Sequence, residues 1–271
     1  MTEILTGYAP IGGAKLYYEV AGEGHPLVMV HAGIADRTMW DGQFAEFAKH
    51  YRTIGFDNRG YGKTEPVEGE FAIYEDIDGL LSLLNVGKTY LMGCSMGGGA
   101  CIDFTLQYPH KVDALILVGS GPGGLTLDVP EAPQFAEYEQ ASKAGDWERV
   151  NELAIQVWFD GQGRTPDQMD AKQRAHVLEM NRQVLAYEQR GLGKRKAALD
   201  PSATQRLSEL HLPVLIIYGD RDEAYIPAAA DYMAQHIQGA KKVLMPNTAH
   251  LPNIERPNEF NRIVLDFLGS L

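Results

Sequence analysis

The chain has 271 residues, of which 45% are hydrophobic and 22% are charged, so it can bury a large core and is not mainly disordered. Its formal charge of −12 opposes binding to nucleic acid phosphates and to anionic membranes. The sequence has no run of about 18 apolar residues and no basic, apolar leader, so we expect a cytoplasmic protein that makes no membrane contact.

Seven short apolar stretches predict the strands of one sheet. Because most of them are apolar throughout and are bounded by Gly, Pro or Asp, they are typical of strands buried on both faces. The predicted strands are 15–20, 27–31, 52–57, 89–93, 114–119, 214–218 and 241–245. The predicted helices between and after them are 36–50, 74–84, 96–108, 228–238 and 258–268. This alternation predicts an α/β domain with a mostly parallel sheet covered by helices.

The segment 125–209 has a different pattern, with helical stretches only, at 134–144, 146–159 and 165–192. We therefore expect a core domain formed by 1–124 and 210–271, with 125–209 inserted as a helical cap. A segment inserted between two strands lies near the carboxyl edge of the sheet, where open α/β sheets bind ligands. The cap is thus predicted to cover a site. The basic run 194–196 within it is expected to be a solvated helix end.

The sequence Gly93-Cys94-Ser95-Met96-Gly97 matches the nucleophile motif G-x-S-x-G. It lies where the motif requires, between a predicted strand and a predicted helix. A sharp strand-to-helix turn needs small neighbours, because the backbone there is strained and passes close to itself. We therefore predict that Ser95 is a nucleophile.

Five segments together resemble the α/β-hydrolase family, and they occur in the order found in that family. They are the motif at 93–97 and the segments 30–33, 56–64, 219–222 and 249–257. The resemblance covers nearly the whole chain and weakens only in the cap. It implies the α/β-hydrolase fold and a hydrolytic enzyme. Ser95 stands where dehalogenases and epoxide hydrolases of this fold carry an aspartate, which disfavours those two activities.

A serine hydroxyl needs a general base, and the base needs a carboxylate that fixes its tautomer. Of the eight histidines, only His250 lies in a loop just after the last predicted strand, in a segment that resembles the family's base segment. Asp220 and Asp222 both follow the strand 214–218. Asp222 fills the acid position of the family, so the predicted triad is Ser95, Asp222 and His250, and Asp220 is expected to order the loop.

Attack on a carbonyl creates an oxyanion, which is usually stabilised by two backbone N–H groups. We expect one from Met96, directly after the nucleophile. The resemblance places the second in the loop after strand 27–31, at Gly33, with Ile34 as the alternative. Ala32 departs here from the glycine that is usual in the family. His31 is expected to support this loop, and the turn that follows Asp57 is expected to be structural.

No cofactor and no metal are implied, because the sequence has no metal-ligand spacing and no G-x-x-x-x-G-K-[ST] loop. The two cysteines, Cys94 and Cys101, are expected to be reduced and buried. The expected partner is a small ester or lactone, with no nucleic acid and no membrane; the oligomeric state is left open. The predicted substrate-binding residues are Ile34, Trp40, Trp158 and Phe159, with Phe135, Trp147 and Met180 as further apolar candidates.

The chemistry of this triad leaves more than one function open. Hydrolysis of a small carboxylic ester or lactone through an acyl-enzyme is the main hypothesis. The alternatives are a hydrolase of carbon–carbon bonds with the same fold, and a receptor that retains the triad and binds a small molecule under the cap. A cofactor-free perhydrolase or haloperoxidase activity is a further side reaction of such a site.

Overall fold

The computed structural model describes residues 3–271, which form one sheet of eight strands and a separate pair of two-residue strands. The strands are β1 (Ile4–Ile11), β2 (Ala14–Ala21), β3 (Pro26–Val30), β4 (Arg52–Phe56), β5 (Glu70–Phe71), β6 (Thr89–Cys94), β7 (Val112–Val118), β8 (Lys194–Arg195), β9 (Val214–Gly219) and β10 (Lys241–Met245). The order in the large sheet is β1-β2-β4-β3-β6-β7-β9-β10.

The large sheet is mostly parallel, which confirms the predicted fold class. Every neighbouring pair from β4 to β10 is parallel, whereas β1 pairs with β2 and β2 with β4 in antiparallel fashion. The register pairs Val30 with Gly93 and Cys94 with Val118. The carboxyl ends of β3, β6 and β7 therefore meet at one edge of the sheet, where open α/β sheets bind ligands.

Strand β1 was not predicted, because its side chains are mostly exposed. Ile4, Leu5 and Tyr8 are all at least half exposed, so the strand lacks the apolar burial that marks the other strands. It forms a hairpin with β2 at the edge of the sheet. Its Ile11 backbone carbonyl accepts a hydrogen bond from Arg59, which helps to hold the hairpin on the domain.

Alternate residues of the central strands enter different apolar clusters. Val28 and Val30 of β3 belong to the cluster on one face of the sheet, and Leu27 and Met29 belong to the cluster on the other face. All four side chains are fully buried. This burial on both faces explains why these strands are continuously apolar in sequence.

The helices are α1 (Asp41–Phe47), α2 (Ile73–Leu83), α3 (Met96–Gln107), α4 (Gln134–Ala144), α5 (Trp147–Ile155), α6 (Ala171–Glu188), α7 (Ala203–Arg206), α8 (Tyr225–His236), α9 (Pro252–Glu255) and α10 (Pro257–Leu268). Two predicted helices are divided. The 36–50 segment begins with a 3-10 turn capped by Asp36. Within 165–192, α6 starts only at Ala171, after its cap Asp170, whose carboxylate accepts N–H bonds from Lys172 and Gln173. Within residues 3–271, no helix is long and apolar enough to cross a membrane.

Helices α4 to α7 follow β7 and precede β9, within the segment predicted as the cap. A π-helix, Gln156–Asp160, continues α5 toward the large sheet. At the end of the segment, Ala203 and Leu207 are buried in the same apolar cluster as Ile102 and Phe104 of α3. The last part of this segment therefore packs on the central domain rather than standing above it.

Candidate active site

Ser95 lies at the turn between β6 and α3, with φ 53° and ψ −117°. Few non-glycine residues adopt a positive φ, and a residue held there is strained unless its surroundings fix it. The Ser95 N–H donates a 2.8 Å hydrogen bond to the Val118 carbonyl oxygen of β7, which fixes this turn. The geometry is that of a nucleophile elbow, with a half-buried serine at the carboxyl edge of the sheet.

Glycines surround this turn because a side chain does not fit there. A Cβ atom on Gly97 would lie 2.5 Å from the backbone oxygens of Val30 and His31, and one on Gly93 would lie 2.5 Å from the carbonyl carbon of Gly97. These contacts are with backbone atoms, which cannot move aside cheaply. Gly93 and Gly97 therefore let α3 pack directly against β3 and β6.

His250 and Asp222 form a buried pair beside this turn. The His250 Nδ1 atom lies 2.9 Å from Oδ2 and 3.1 Å from Oδ1 of Asp222. The Glu223 N–H also donates to Asp222 Oδ1, at 2.8 Å, which fixes the carboxylate. The competing carboxylate of Asp220 is exposed and accepts a hydrogen bond from the Asn247 N–H, at 2.6 Å. The structure therefore places Asp222, and not Asp220, against the imidazole.

Ser95 and His250 line one cavity, whereas Asp222 lies behind the imidazole. Among the described residues, the hydrogen bonds include the pair of His250 with Asp222 but none between the Ser95 hydroxyl and His250. Such bonds are often long in a free enzyme and shorten when substrate binds. The arrangement can deliver a general base to a serine.

The His250 loop is held by contacts that come from the predicted cap. The His250 N–H donates to the Trp158 carbonyl oxygen at 3.2 Å, and the Ala249 N–H donates to Glu255 Oε1 at 2.6 Å. Arg164 donates to Glu255 Oε2 at 2.6 Å. Burial raises the pKa of the Glu255 carboxyl, and Arg164 acts against this rise. The Arg164–Glu255 pair therefore anchors the loop from the side of the cap.

Two backbone N–H groups are candidates for an oxyanion hole. Met96 is the first residue of α3, so its N–H has no partner inside the helix and lies at the positive end of the helix dipole. Gly33 lies beside it, since a Cβ on Gly33 would be 3.6 Å from Met96 Cβ. Ile34, the alternative donor, is half-buried and packs against the apolar cluster below. The proximity of Gly33 to Met96 favours Gly33 as the second donor.

His31 holds the Gly33 loop in place. Its Nδ1 atom lies 2.8 Å from the Ala32 carbonyl oxygen, and its Nε2 atom accepts a 3.0 Å bond from the Asn58 N–H. One neutral tautomer, with the proton on Nδ1, satisfies both contacts. Burial lowers the pKa of His31 from 6.5 to about 4, so the ring is neutral at pH 7. His31 therefore holds this loop through hydrogen bonds as a neutral imidazole.

The turn after β4 is fixed by Asp57. Its carboxylate accepts hydrogen bonds from the backbone N–H groups of Arg37 and Lys63, both at 2.9 Å. Burial raises the pKa of Asp57 to about 7, although these two N–H bonds act against the rise. Neither Asp57 nor its partners line the cavity that contains Ser95. Its contacts are those of the structural role expected for this turn.

The cavity at Ser95 has a volume of about 380 Å³, within the usual range for small-molecule sites. Its walls are mostly apolar. Trp158 covers His250, with a distance of 4.6 Å between the two ring centres, and Phe135 packs behind Trp158. The other apolar wall residues include Phe71, Ile73, Ala100, Tyr225 and Ile226.

Three of the four residues predicted to bind substrate, Ile34, Trp40 and Phe159, do not line the cavity. Trp40 is 1% exposed and packs against Phe260 of α10, and Phe159 is fully buried in the same apolar cluster. Neither lines the cavity, because the 3-10 turn and the π-helix that carry them turn their rings into the core. Met180 is also buried in that cluster, whereas Trp147 is 37% exposed at the surface.

The structure adds a wall that the sequence did not predict. The basic run expected to end a helix instead forms β8, which pairs in parallel with β5, and α6 already ends at Glu188. This strand brings Arg195 and Lys196 to the cavity. Lys196 is paired with Glu75 of α2, whereas Arg195 forms no ion pair among the described residues. The pairing of two remote two-residue strands leaves no periodic signal in sequence.

Cys94 and Cys101 are free and buried, and burial raises the pKa of both thiols well above the usual value. Cys94 Sγ faces the His250 carbonyl oxygen at 3.6 Å. The two cysteines are therefore packing residues and not reactive thiols. Within residues 3–271, no cluster of three or more His, Cys, Asp or Glu side chains is arranged to hold a metal ion.

A model of the alpha/beta hydrolase fold matches residues 25–257, which is most of the chain. The chain belongs to the α/β-hydrolase fold family. This match covers every residue of the candidate site described above, from His31 to Glu255.

The relatives of this α/β-hydrolase carry different functional names. A protein from Paraburkholderia xenovorans, named 2-hydroxy-6-oxononadienedioate/2-hydroxy-6-oxononatrienedioate hydrolase, is 27% identical over 95% of this chain and 92% of its own length. Among solved structures, a bromoperoxidase from Bacillus anthracis has a TM-score of 0.80 at 23% identity, covering 98% of this chain and all of its own. An enol-lactonase from Burkholderia xenovorans has a TM-score of 0.77 at 24% identity, covering 97% and 99%. These two structures are evidence for the fold alone.

Proposed function

We propose that this α/β-hydrolase cleaves a small carboxylic ester or lactone through an acyl-enzyme formed on Ser95. One observation carries the proposal. A strained serine at an elbow shares a cavity with a histidine whose other ring nitrogen is 2.9 Å from a buried carboxylate. That combination activates a hydroxyl for attack on a carbonyl.

In the first half of the reaction, Ser95 Oγ attacks the ester carbonyl carbon and its proton moves to His250 Nε2. Asp222 keeps the Nδ1 proton of His250 in place and stabilises the imidazolium that forms. The N–H groups of Met96 and Gly33 are proposed to bind the oxyanion. The tetrahedral intermediate then expels the alcohol, which takes the proton from His250.

In the second half, water attacks the acyl group on Ser95. His250 takes a proton from the water, and the oxyanion forms again at the same two N–H groups. Collapse of this intermediate releases the carboxylic acid and returns the proton to Ser95 Oγ. A lactone follows the same steps, except that its alcohol remains attached to the acid.

The size and the walls of the cavity support a small, largely apolar substrate. A volume of about 380 Å³ leaves no room for a polymer, and aromatic and aliphatic side chains form most of the walls. Trp158 over His250 limits the access of water to the base.

The test is multiple-turnover hydrolysis of short-chain p-nitrophenyl esters and simple lactones by the wild type and by Ser95→Ala. The expected result is turnover by the wild type and a loss on the order of 10⁵- to 10⁶-fold in the variant. The control is Ser202→Ala, which removes a hydroxyl outside the cavity and is expected to leave turnover unchanged. Binding of a ligand without turnover would favour a receptor and contradict the proposal.

A second candidate is hydrolysis of a carbon–carbon bond beside a ketone. The favouring observation is the 27% identical relative from P. xenovorans, whose name describes hydrolysis of a keto-dienedioate. The same test decides between the two candidates when 2-hydroxy-6-oxodienoates are added to the panel. Faster turnover of these compounds than of any ester or lactone would favour the second candidate.

We further propose that the protein works in the cytoplasm on a small molecule, without nucleic acid or membrane. The charge of −12 supports this, since it repels both kinds of polyanion. Fractionation of cells that express the full chain is the test. Recovery of the protein with the membrane fraction would contradict the proposal.

A further inference from the structure

The cavity at Ser95 contains an acidic side chain that the proposed reaction does not use. Asp103 lies on α3, on the same face of the helix as Met96, Gly99 and Ala100, because residues spaced by three, four and seven share a face. All four line the cavity. Among the described residues, Asp103 is the only acidic residue that lines this cavity.

Among the described residues, none donates a hydrogen bond to the carboxylate of Asp103. Its Oδ1 atom is buried and has no hydrogen-bond partner among the described residues. Arg206, whose charge acts on Asp103, is paired with Glu209 instead. Burial raises the pKa of Asp103 to about 6, and the charge of Arg206 offsets only part of this rise. The Oδ2 atom is not buried in this way and also has no partner within residues 3–271, so it is the oxygen that a ligand can reach. A carboxylate that is partly buried without a partner destabilises a protein, so its position beside a ligand cavity calls for an explanation.

We propose that Asp103 is a specificity-determining residue, which accepts a hydrogen bond from a hydroxyl or amino group at the far end of the substrate. This inference rests on the proposed function and names the substrate class more closely. The substrate is then an ester or lactone with a reactive carbonyl at Ser95, an apolar middle, and a hydrogen-bond donor at the other end.

The position of Asp103 sets the length of that middle part. Met96 and Asp103 are seven residues apart on one helix, which corresponds to about 10 Å along its axis. Between them the helix presents only Gly99 and Ala100 to the cavity, which offer an apolar surface. After allowance for the reach of the Asp103 side chain, this span suits a chain of hexanoate or octanoate length.

The test compares matched substrates on the wild type, Asp103→Leu and Asp103→Asn. Methyl hexanoate and octanoate, with their ω-hydroxy and ω-amino counterparts, probe the acyl side. Hexyl acetate, hexanediol monoacetate and aminohexyl acetate probe the alcohol side. Asp128→Asn removes one exposed acidic charge outside the cavity and is the control.

In Asp103→Leu, kcat/KM for the donor-bearing substrates of one series should fall by about 10- to 100-fold, the usual effect of a lost hydrogen bond to a charged group. For the plain esters kcat/KM should not fall, because leucine makes this wall of the cavity more apolar. Asp103→Asn retains an accepting oxygen without the charge. Its kcat/KM for the ω-hydroxy substrates should therefore stay near that of the wild type if a hydroxyl is the natural donor. A selective loss of the ω-amino substrates in Asp103→Asn would instead indicate an ammonium group that pairs with the charged carboxylate.

The inference is overturned if the ratio of kcat/KM for donor-bearing and plain esters is the same in the wild type and Asp103→Leu, in both series. In that case plain esters still turn over and the proposed function stands. If the wild type hydrolyses no ester at all, the proposed function fails and this inference fails with it. Thermal unfolding separates a specificity role from a structural one, because removal of an unpaired carboxylate should leave the midpoint equal or higher.

Discussion

The two sides of the active site are built in different ways. On the nucleophile side, Ser95 lies in one short stretch of sequence, in which Gly93 and Gly97 permit the tight packing of the turn against neighbouring strands. On the base side, His250 is held by Asp222, 28 positions away, and by contacts from the cap region. The residue pattern of the nucleophile side is therefore local in sequence, although Val118 of β7 also fixes its turn, whereas the side chains of the base side come from remote segments. Mutations should affect the two sides differently.

Among the changes that leave Ser95 in place, the largest effect is expected for Asp222→Asn, on the base side. An amide at this position favours the wrong tautomer of His250, and the comparable change in another triad lowers kcat by about 10⁴-fold. Ester hydrolysis under saturating substrate is the measurement. Asp220→Asn is the matched control, since Asp220 is exposed and does not touch the imidazole. A greater loss in the Asp220 variant would reverse the assignment of the acid.

On the nucleophile side, Gly97→Ala should lower the free energy of unfolding by about 3 kcal/mol, because overpacking against backbone forces a shift. The added methyl group would meet the Val30 and His31 carbonyl oxygens. Chemical denaturation is the measurement. Gly99→Ala is the control on the same helix, where the nearest atom, the Gly121 oxygen, would be 3.5 Å away. Equal stability of the two variants would show that the elbow is not tightly constrained.

His31, which holds the loop that contains Gly33, should make the free energy of unfolding depend on pH. His31 has its pKa lowered to about 4 in the folded protein, so the stability it contributes is complete above pH 6.5 and is lost as the pH falls toward 4. The expected loss is up to about 3 kcal/mol, since one pKa unit corresponds to about 1.4 kcal/mol.

Unfolding of the wild type and of His31→Gln, measured from pH 7 to pH 4, isolates this contribution. The difference between the two free energies should shrink as the pH falls, because the variant has no group to protonate at this position. The titration of Asp57 is common to both proteins and cancels in the difference. A difference that stays constant with pH would contradict a buried neutral His31.

The smallest effect is expected for Arg164→Ala. The change leaves Glu255 buried without its cationic partner, so we expect a loss of about 2 kcal/mol in stability and, through the loosened His250 loop, roughly tenfold in kcat/KM. Arg149→Ala is the control, because its pair with Glu137 is exposed and such pairs contribute about 0–1 kcal/mol. If both arginine variants keep full activity, the cap region does not position the base.

The sequence allowed the prediction of most of the sheet and of the residues around Ser95. Continuous apolar runs mark strands that are buried on both faces, and the glycines at 93 and 97 mark a turn that admits no side chain. Strand β1 has no such continuous apolar run and could not be predicted, because Ile4 and Leu5 are exposed at the edge of the sheet.

The walls of the cavity were harder to predict. Trp40 and Phe159 are aromatic residues near the site in sequence. An aromatic ring can be buried in the core as favourably as against a ligand, and both rings are buried in the core. Arg195 reaches the cavity through the pairing of β5 with β8, a contact between remote segments that no local pattern encodes. Asp103 gave no signal because one acidic residue in a helix is usually solvated.

The most direct test of the account is to trap the acyl-enzyme. The full chain is mixed with p-nitrophenyl acetate, quenched with acid within the first turnovers, digested and analysed by mass spectrometry. The account predicts one acetyl group on the peptide that contains Ser95, and none in Ser95→Ala. Turnover without an acetylated Ser95, or an acetyl group on another side chain that disappears as product forms, would contradict it.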